Sequence, residues 1–121
     1  MFPLTRQIQI VSDAAKNTTA RLLGETPPSW PDTETTFAEL QTRLRTTHDF
    51  LGRAQASAME GAEDRPVTMP VGPERTLTFP TGREFLFTFA LPNFYFHLTA
   101  AYAILRHRGL EIGKRDYLGM V

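Results

Sequence analysis

The sequence predicts a mainly α domain, a helical bundle with a short β-hairpin inserted before its last helices. Three observations predict it. Two N-terminal stretches repeat apolar residues at the three-and-four spacing of a helical face. A third, Leu91 to Gly109, is long and apolar almost until its last turn. Between them Val67, Met69 and Val71 alternate, and after Gly72-Pro73 so do Thr76, Leu77, Thr78 and Phe79, the period-two pattern of a hairpin.

The N-terminal helix is expected over about Pro3 to Leu23. Leu4, Ile8, Val11, Ala15 and Leu22 form its inner face, and Arg6, Asp13, Lys16 and Arg21 fall mostly on the other side. Pro3 suits a first turn, where its missing N–H costs nothing, and Gly24 closes the helix. The loop Glu25 to Thr35 holds Pro27, Pro28 and Pro31 around Trp30, whose indole is expected to anchor the loop back on the bundle. A second helix spans about Phe37 to Ala54. Thr36 and Glu39 have capping-box spacing, Phe37, Leu40, Leu44, Thr47 and Leu51 face inward, and Arg43 and Arg45 point to solvent. Gln55 to Asp64 reads as a linker.

After the hairpin, which must lean on a helix because two strands alone are marginal, Thr81 and Glu84 repeat the capping spacing and open a short helix, Gly82 to Ala90. Pro92 disfavours helical geometry at Leu91, so a break or kink is expected there. The last main helix runs from about Pro92 to Arg108, with Phe94, Leu98, Ala101 and Leu105 at the centre of its inner face. It ends at Gly109 and Leu110. A helix apolar nearly all round must be covered on more than one side. The tail, Glu111 to Val121, is expected to be extended and packed through Ile112, Tyr117 and Leu118.

At 121 residues the chain is one domain, 1–121, with a modest core. Thirteen basic and thirteen acidic residues cancel, which argues against a nucleic-acid groove or a polybasic membrane anchor. The run from Phe85 to Leu105 approaches a membrane span in length, but Pro92, Asn93 and His97 interrupt it and favour a buried core helix. There is no cysteine, hence no disulfide framework, thiolate nucleophile or cysteine-based zinc site, and a cytoplasmic home fits. The opening Met1-Phe2-Pro3-Leu4-Thr5-Arg6 lacks the pattern of a secretory signal. No phosphate-loop or nucleophile-elbow motif is present.

The string from Phe89 to Gly109, followed by Gly113-Lys114-Arg115-Asp116-Tyr117-Leu118-Gly119, resembles the C-terminal signature of domain-of-unknown-function family nineteen-ninety-three. Met1-Phe2-Pro3-Leu4-Thr5-Arg6-Gln7, Thr36-Phe37-Ala38-Glu39-Leu40 and Gly61-Ala62-Glu63-Asp64-Arg65 resemble it too. That family is similar to the DinB/YfiT-like superfamily of up-and-down four-helix bundles. The resemblance implies a DinB/YfiT-like fold and, because family members begin with a further helix before the residues matching Met1, a chain lacking that first helix. The open apolar groove would then promote association into a dimer or other homo-oligomer through apolar helix faces.

The resemblance also implies a divalent metal held by three histidines, one on the second helix of the bundle and two at four-residue spacing on the fourth. Four-residue spacing puts two imidazoles on one helix face. Here His97 is the one candidate ligand: Asn93 and Ala101 stand four residues away on either side, and the N-terminal helix has no histidine. His97 is read either as a hydrogen-bonded core residue or as part of a polar pocket with Gln7, Asp13 and Tyr102. Such a pocket would take a small-molecule ligand or support acid–base work. His48 lies on the border of the second helix, and His107 suits the negative end of the last helix. The leading expectation is a non-catalytic bundle that binds a small ligand and self-associates. The alternative is a divergent metal-dependent enzyme, of hydrolase or thiol-group transferase type, using His97.

Overall fold

The computed structural model describes residues 1–120; Val121, the last residue of the predicted tail, lies outside them. The elements are α1 (Leu4–Leu22), α2 (Phe37–Leu51), a single 3₁₀ turn (Ala56–Met59), β1 (Val67–Val71), β2 (Arg75–Phe79), α3 (Gly82–Glu84), a π-helical segment (Phe85–Ala90), α4 (Leu91–His107) and α5 (Lys114–Tyr117). The fold is mainly helical with one two-stranded antiparallel sheet, and α1 packs on both α2 and α4. Among the described residues no helix is long and apolar enough to cross a membrane.

Both ends of α1 follow the sequence. Pro3 stands at the N-cap. At the other end Gly24 takes φ +77°, and the Glu25 and Gly24 N–H groups bond the carbonyls of Ala20 and Arg21, a Schellman closure. α2 opens on a reciprocal capping box: the Glu39 N–H donates to Thr36 Oγ1 (3.2 Å) and the Thr36 N–H to Glu39 Oε2 (2.9 Å). α2 ends three residues early, because Arg53 and Ala54 wind into i→i−3 bonds beyond Leu51.

The hairpin pairs Val67 with Phe79 and Val71 with Arg75 around Gly72 (φ +73°). It leans on a helix: Val67, Phe85 and Ala90 form the apolar core cluster, with the Phe79 and Phe85 rings 5.3 Å apart edge to face. Gly82 is required where α3 meets the linker. A Cβ there would sit 2.0 Å from the Ala62 carbonyl oxygen.

The break expected at Leu91 does not occur. α3, the π segment and α4 form one continuous helical run. The Leu91 N–H reaches back five residues to the Leu86 carbonyl, so the ladder is already widened where Pro92 lacks a donor and would crowd the carbonyl four residues back. The tail is not wholly extended either. Asp116 Oδ2 accepts from the Gly113 N–H (2.8 Å) and caps α5, and Tyr117 packs on Tyr102 (rings 5.5 Å apart) and shares a hydrogen bond with Thr99 (2.9 Å). Leu118 is exposed.

Two inner faces differ from expectation. On α2 the buried residues are Leu40, Arg43 and Thr47, whereas Phe37 is 72 % exposed. On α1 the buried set includes Gln7, Gln9, Ser12, Lys16 and Thr19. α1 lies between two helices, so its polar flank is covered as well as its apolar one. α4, conversely, buries only Ala100 and Ala101 and leaves Pro92, Tyr95, Phe96, Thr99 and Ala103 exposed in a stripe.

Candidate functional site

The seam between α1 and α2 is a closed network of charges and hydroxyls. Thr47 donates to the Arg43 carbonyl (2.8 Å), so it accepts from the Ser12 hydroxyl (2.7 Å), which in turn accepts from Arg43 Nε (3.0 Å). The Arg43 guanidinium meets Asp13 (3.0 Å), Glu34 (2.9 Å) and Asp32 (3.1 Å), and its side chain is 3 % exposed. Gln9 donates to the other oxygen of Glu34 (3.0 Å). Burial alone would raise the Glu34 carboxyl; the hydrogen bonds from Arg43 and Gln9 outweigh it and hold Glu34 below the usual range. Burial likewise opposes the charge on Arg43, and its three carboxylates more than offset that.

Arg43 therefore does not point to solvent, and Lys16 is not on an outer face. The Lys16 ammonium pairs with Asp13 (2.9 Å) and lies 4.5 Å from the centre of the Trp30 ring, which also meets Phe50 edge to face at 5.9 Å. Trp30 anchors its loop as expected. A cavity of about 440 Å³ opens between this loop and α2, with Glu34 and Arg43 in its wall. The sequence signal for the network was the buried-face spacing of Leu40, Arg43 and Thr47. The counter-charges, however, lie 9 to 30 residues away along the chain.

On its other flank α1 meets α4. Gln7 and His97 are brought together: His97 Nδ1 lies 2.7 Å from Gln7 Oε1. The amide oxygen only accepts, so Nδ1 carries the proton. Gln7 is held in turn by the Phe2 carbonyl, which accepts from its Nε2 at 3.2 Å. Burial, and secondarily the nearby Arg6 charge, push the His97 imidazole below its ordinary value, so it is neutral at pH 7. Nε2 has no partner among the described residues, and the Phe96 ring stands edge-on 5.1 Å away.

The other sequence candidates have other partners. Asp13 belongs to Lys16 and Arg43, and Tyr102 to Tyr117. His48 is exposed beside Asp49 (3.7 Å), and His107 is exposed in the last turn of α4. The residues present do not fit a three-histidine metal cage. α1 has no histidine, the Gln7 oxygen is taken by His97, and among the described residues no three histidine, aspartate or glutamate side chains are placed to hold a metal ion.

The fold, with α1 packed on both α2 and α4, is DinB-like in class. A crystal structure of a DinB family member protein from Shewanella denitrificans has a similar fold, with TM-score 0.86 and 42% sequence identity over 98% of this chain and 66% of the other. This chain thus spans just under two thirds of that structure's length. The profile of the family described as domain of unknown function (DUF1993) matches residues 1–118, and the chain belongs to that family. No curated protein matches the chain significantly.

Proposed function

We propose that this chain is a non-catalytic DinB-family bundle that binds a small molecule at the α1–α4 seam, with the neutral His97 Nε2 as its hydrogen-bond acceptor. The 2.7 Å bond from Nδ1 to Gln7 carries the reading, because it fixes the tautomer and leaves Nε2 with a free lone pair. A second reading rests on the same bond. A histidine whose far nitrogen is fixed by an amide oxygen is also oriented as a metal ligand would be, which keeps a metal-dependent enzyme of hydrolase or transferase type as the alternative.

Elemental mass spectrometry separates the two, on folded protein purified without chelator or His-tag, beside His97→Ala. The expected result is no stoichiometric metal in either. Near-stoichiometric zinc, nickel or iron that disappears in the variant would overturn the binding reading and make His97 a ligand.

The same proposal includes self-association through α4. From Phe85 to Leu105 there is no Asp, Glu, Lys or Arg, while Tyr95 and Phe96 are 51 % and 60 % exposed. An uncharged apolar face is complementary to itself, so a second copy related by a two-fold axis is its simplest partner. Sedimentation should show a dimer that Tyr95→Lys converts to monomer; a monomer at every concentration would remove this part of the reading. A cytoplasmic home, which a cysteine-free chain suits, completes it.

A further inference from the structure

A second cavity, of about 220 Å³, lies between α1, the π segment and the hairpin. Its floor is apolar, formed by Phe85, Phe89 and Met69. Its rim is charged, and nearly all of that charge is matched. Arg6 pairs with Asp32 at 2.6 Å, and Asp13 with Lys16 and Arg43. Arg21 is the exception: among the described residues no carboxylate lies within ion-pair distance of it and its guanidinium makes no hydrogen bond. Burial alone depresses its basicity, with no neighbouring acid to offset the loss. A part-buried guanidinium with no partner in the protein has its planar fork of donors available to an entering anion.

Asn17, one turn earlier on α1, is incomplete too. Its Oδ1 is shut off from solvent without a hydrogen-bond partner. The χ2 torsion of asparagine is soft, so the amide can turn its oxygen toward a donor arriving in the cavity.

We infer that this cavity is a binding site for a small carboxylate with a hydrogen-bond donor beside the acid group and a flat apolar body, as in an aryl hydroxy acid. Arg21 takes the carboxylate in its planar fork, the neighbouring hydroxyl donates to Asn17, and the body lies on Phe89 beside Met69, with Phe85 packed beneath. The π segment serves this arrangement, because Phe85, Phe89 and Ala90 all line the cavity. Asn17 lies ten residues beyond Gln7 on α1, about 15 Å along the helix. The site shares no residue with the glutamine–histidine pair, so either proposal can fail without the other.

Calorimetric titration of the full chain with three probes tests it: mandelate, mandelamide, which lacks the negative charge, and phenylacetate, which lacks the hydroxyl. Mandelate should bind most tightly. Mandelamide, and mandelate on Arg21→Gln, should each be weaker by roughly 10- to 100-fold, the factor for a lost charge-assisted hydrogen bond. Asn17→Leu should erase the preference for mandelate over phenylacetate while phenylacetate still binds. Circular dichroism establishes that each variant folds; should Arg21→Gln not fold, Arg21→Lys, which keeps the charge and loses the fork, should weaken mandelate and phenylacetate and leave mandelamide unchanged. Equal binding of mandelate and mandelamide, unchanged affinity in the Arg21 variants, or no heat from any probe on folded protein would overturn the inference.

Discussion

At the scale of single residues, the Arg43 side chain ties α2 to α1 through Ser12 and Asp13 and to the proline loop through the Pro31 carbonyl, Asp32 and Glu34. Arg43→Met keeps comparable bulk but leaves Glu34 without a cation, while Asp13 keeps only Lys16 and Asp32 only Arg6. Removing one partner of a buried ion pair is strongly destabilising, and because Asp13 and Asp32 are about a third exposed the loss should sit near the lower end, about 3 kcal/mol. Urea unfolding measures it, and a change within error would mean the network is not structural. Acid should act through two residues in succession. His97 titrates below its ordinary 6.5 in the folded protein, so the stability it contributes is full above that pH and is lost as pH falls toward the lower folded value. Glu34 has the same sign in a lower window, its contribution present above 4.5 and lost beneath it. Unfolding midpoints across pH 7.5 to 3 should therefore fall in two stages, the first of them absent in His97→Gln. A single acid stage in the native chain would contradict the role given to His97. The sequence put Gln7 and His97 together only as two of four candidate pocket residues, and the structure pairs them without Asp13 or Tyr102. The placements of Asp13, Lys16 and Arg43 were not: each is charged, and a charge is read as solvent-facing unless its counter-charge is known to be near.

At the scale of elements, the caps carried the most information. Thr36 with Glu39, Thr81 with Glu84, and Gly24 and Gly109 marked ends that the structure reproduces, because each motif satisfies backbone groups within a few residues. The helix through Pro92 was less legible. A proline is read as a stop, whereas the π register before it lets the helix continue, and that register is set by the packing of Phe85 and Phe89 on the hairpin. α5 escaped notice because four residues are too few to show a period. Gly82 is the tightest joint between elements. Gly82→Ala would drive a methyl group into the Ala62 carbonyl, and the rigid backbone on both sides leaves little room to yield. The expected cost is about 1–3 kcal/mol, the usual range for overpacking, read as a lower thermal midpoint. An unchanged midpoint would show that the linker moves aside. Thr36→Ala, by contrast, should cost about 1 kcal/mol through the lost cap alone.

At the scale of the whole molecule, α1 is a shared wall, tied to α2 by the charges around Arg43 and to α4 by the uncharged Gln7–His97 pair. Its mainly helical class followed from periodicity, and the hairpin from a change of period. What the sequence left open was how much of α4 the rest of the chain covers, since that depends on which surfaces meet rather than on any local pattern. The two sides of α1 also differ in how far apart along the chain their partners lie. The Arg43–Asp13 contact spans 30 residues, while Gln7 and His97 are separated by 90. Bringing distant segments together costs chain entropy before any contact forms, so the α1–α2 pair and the hairpin should assemble first and α4 should dock last. Contacts formed after the rate-limiting barrier govern how fast a protein comes apart rather than how fast it forms. In stopped-flow chevrons, His97→Ala should raise the unfolding rate with little change in the folding limb, and a slowed folding limb would place the docking of α4 before the barrier. On that order of events, the Gln7–His97 bond is the latch that sets the lifetime of the folded chain.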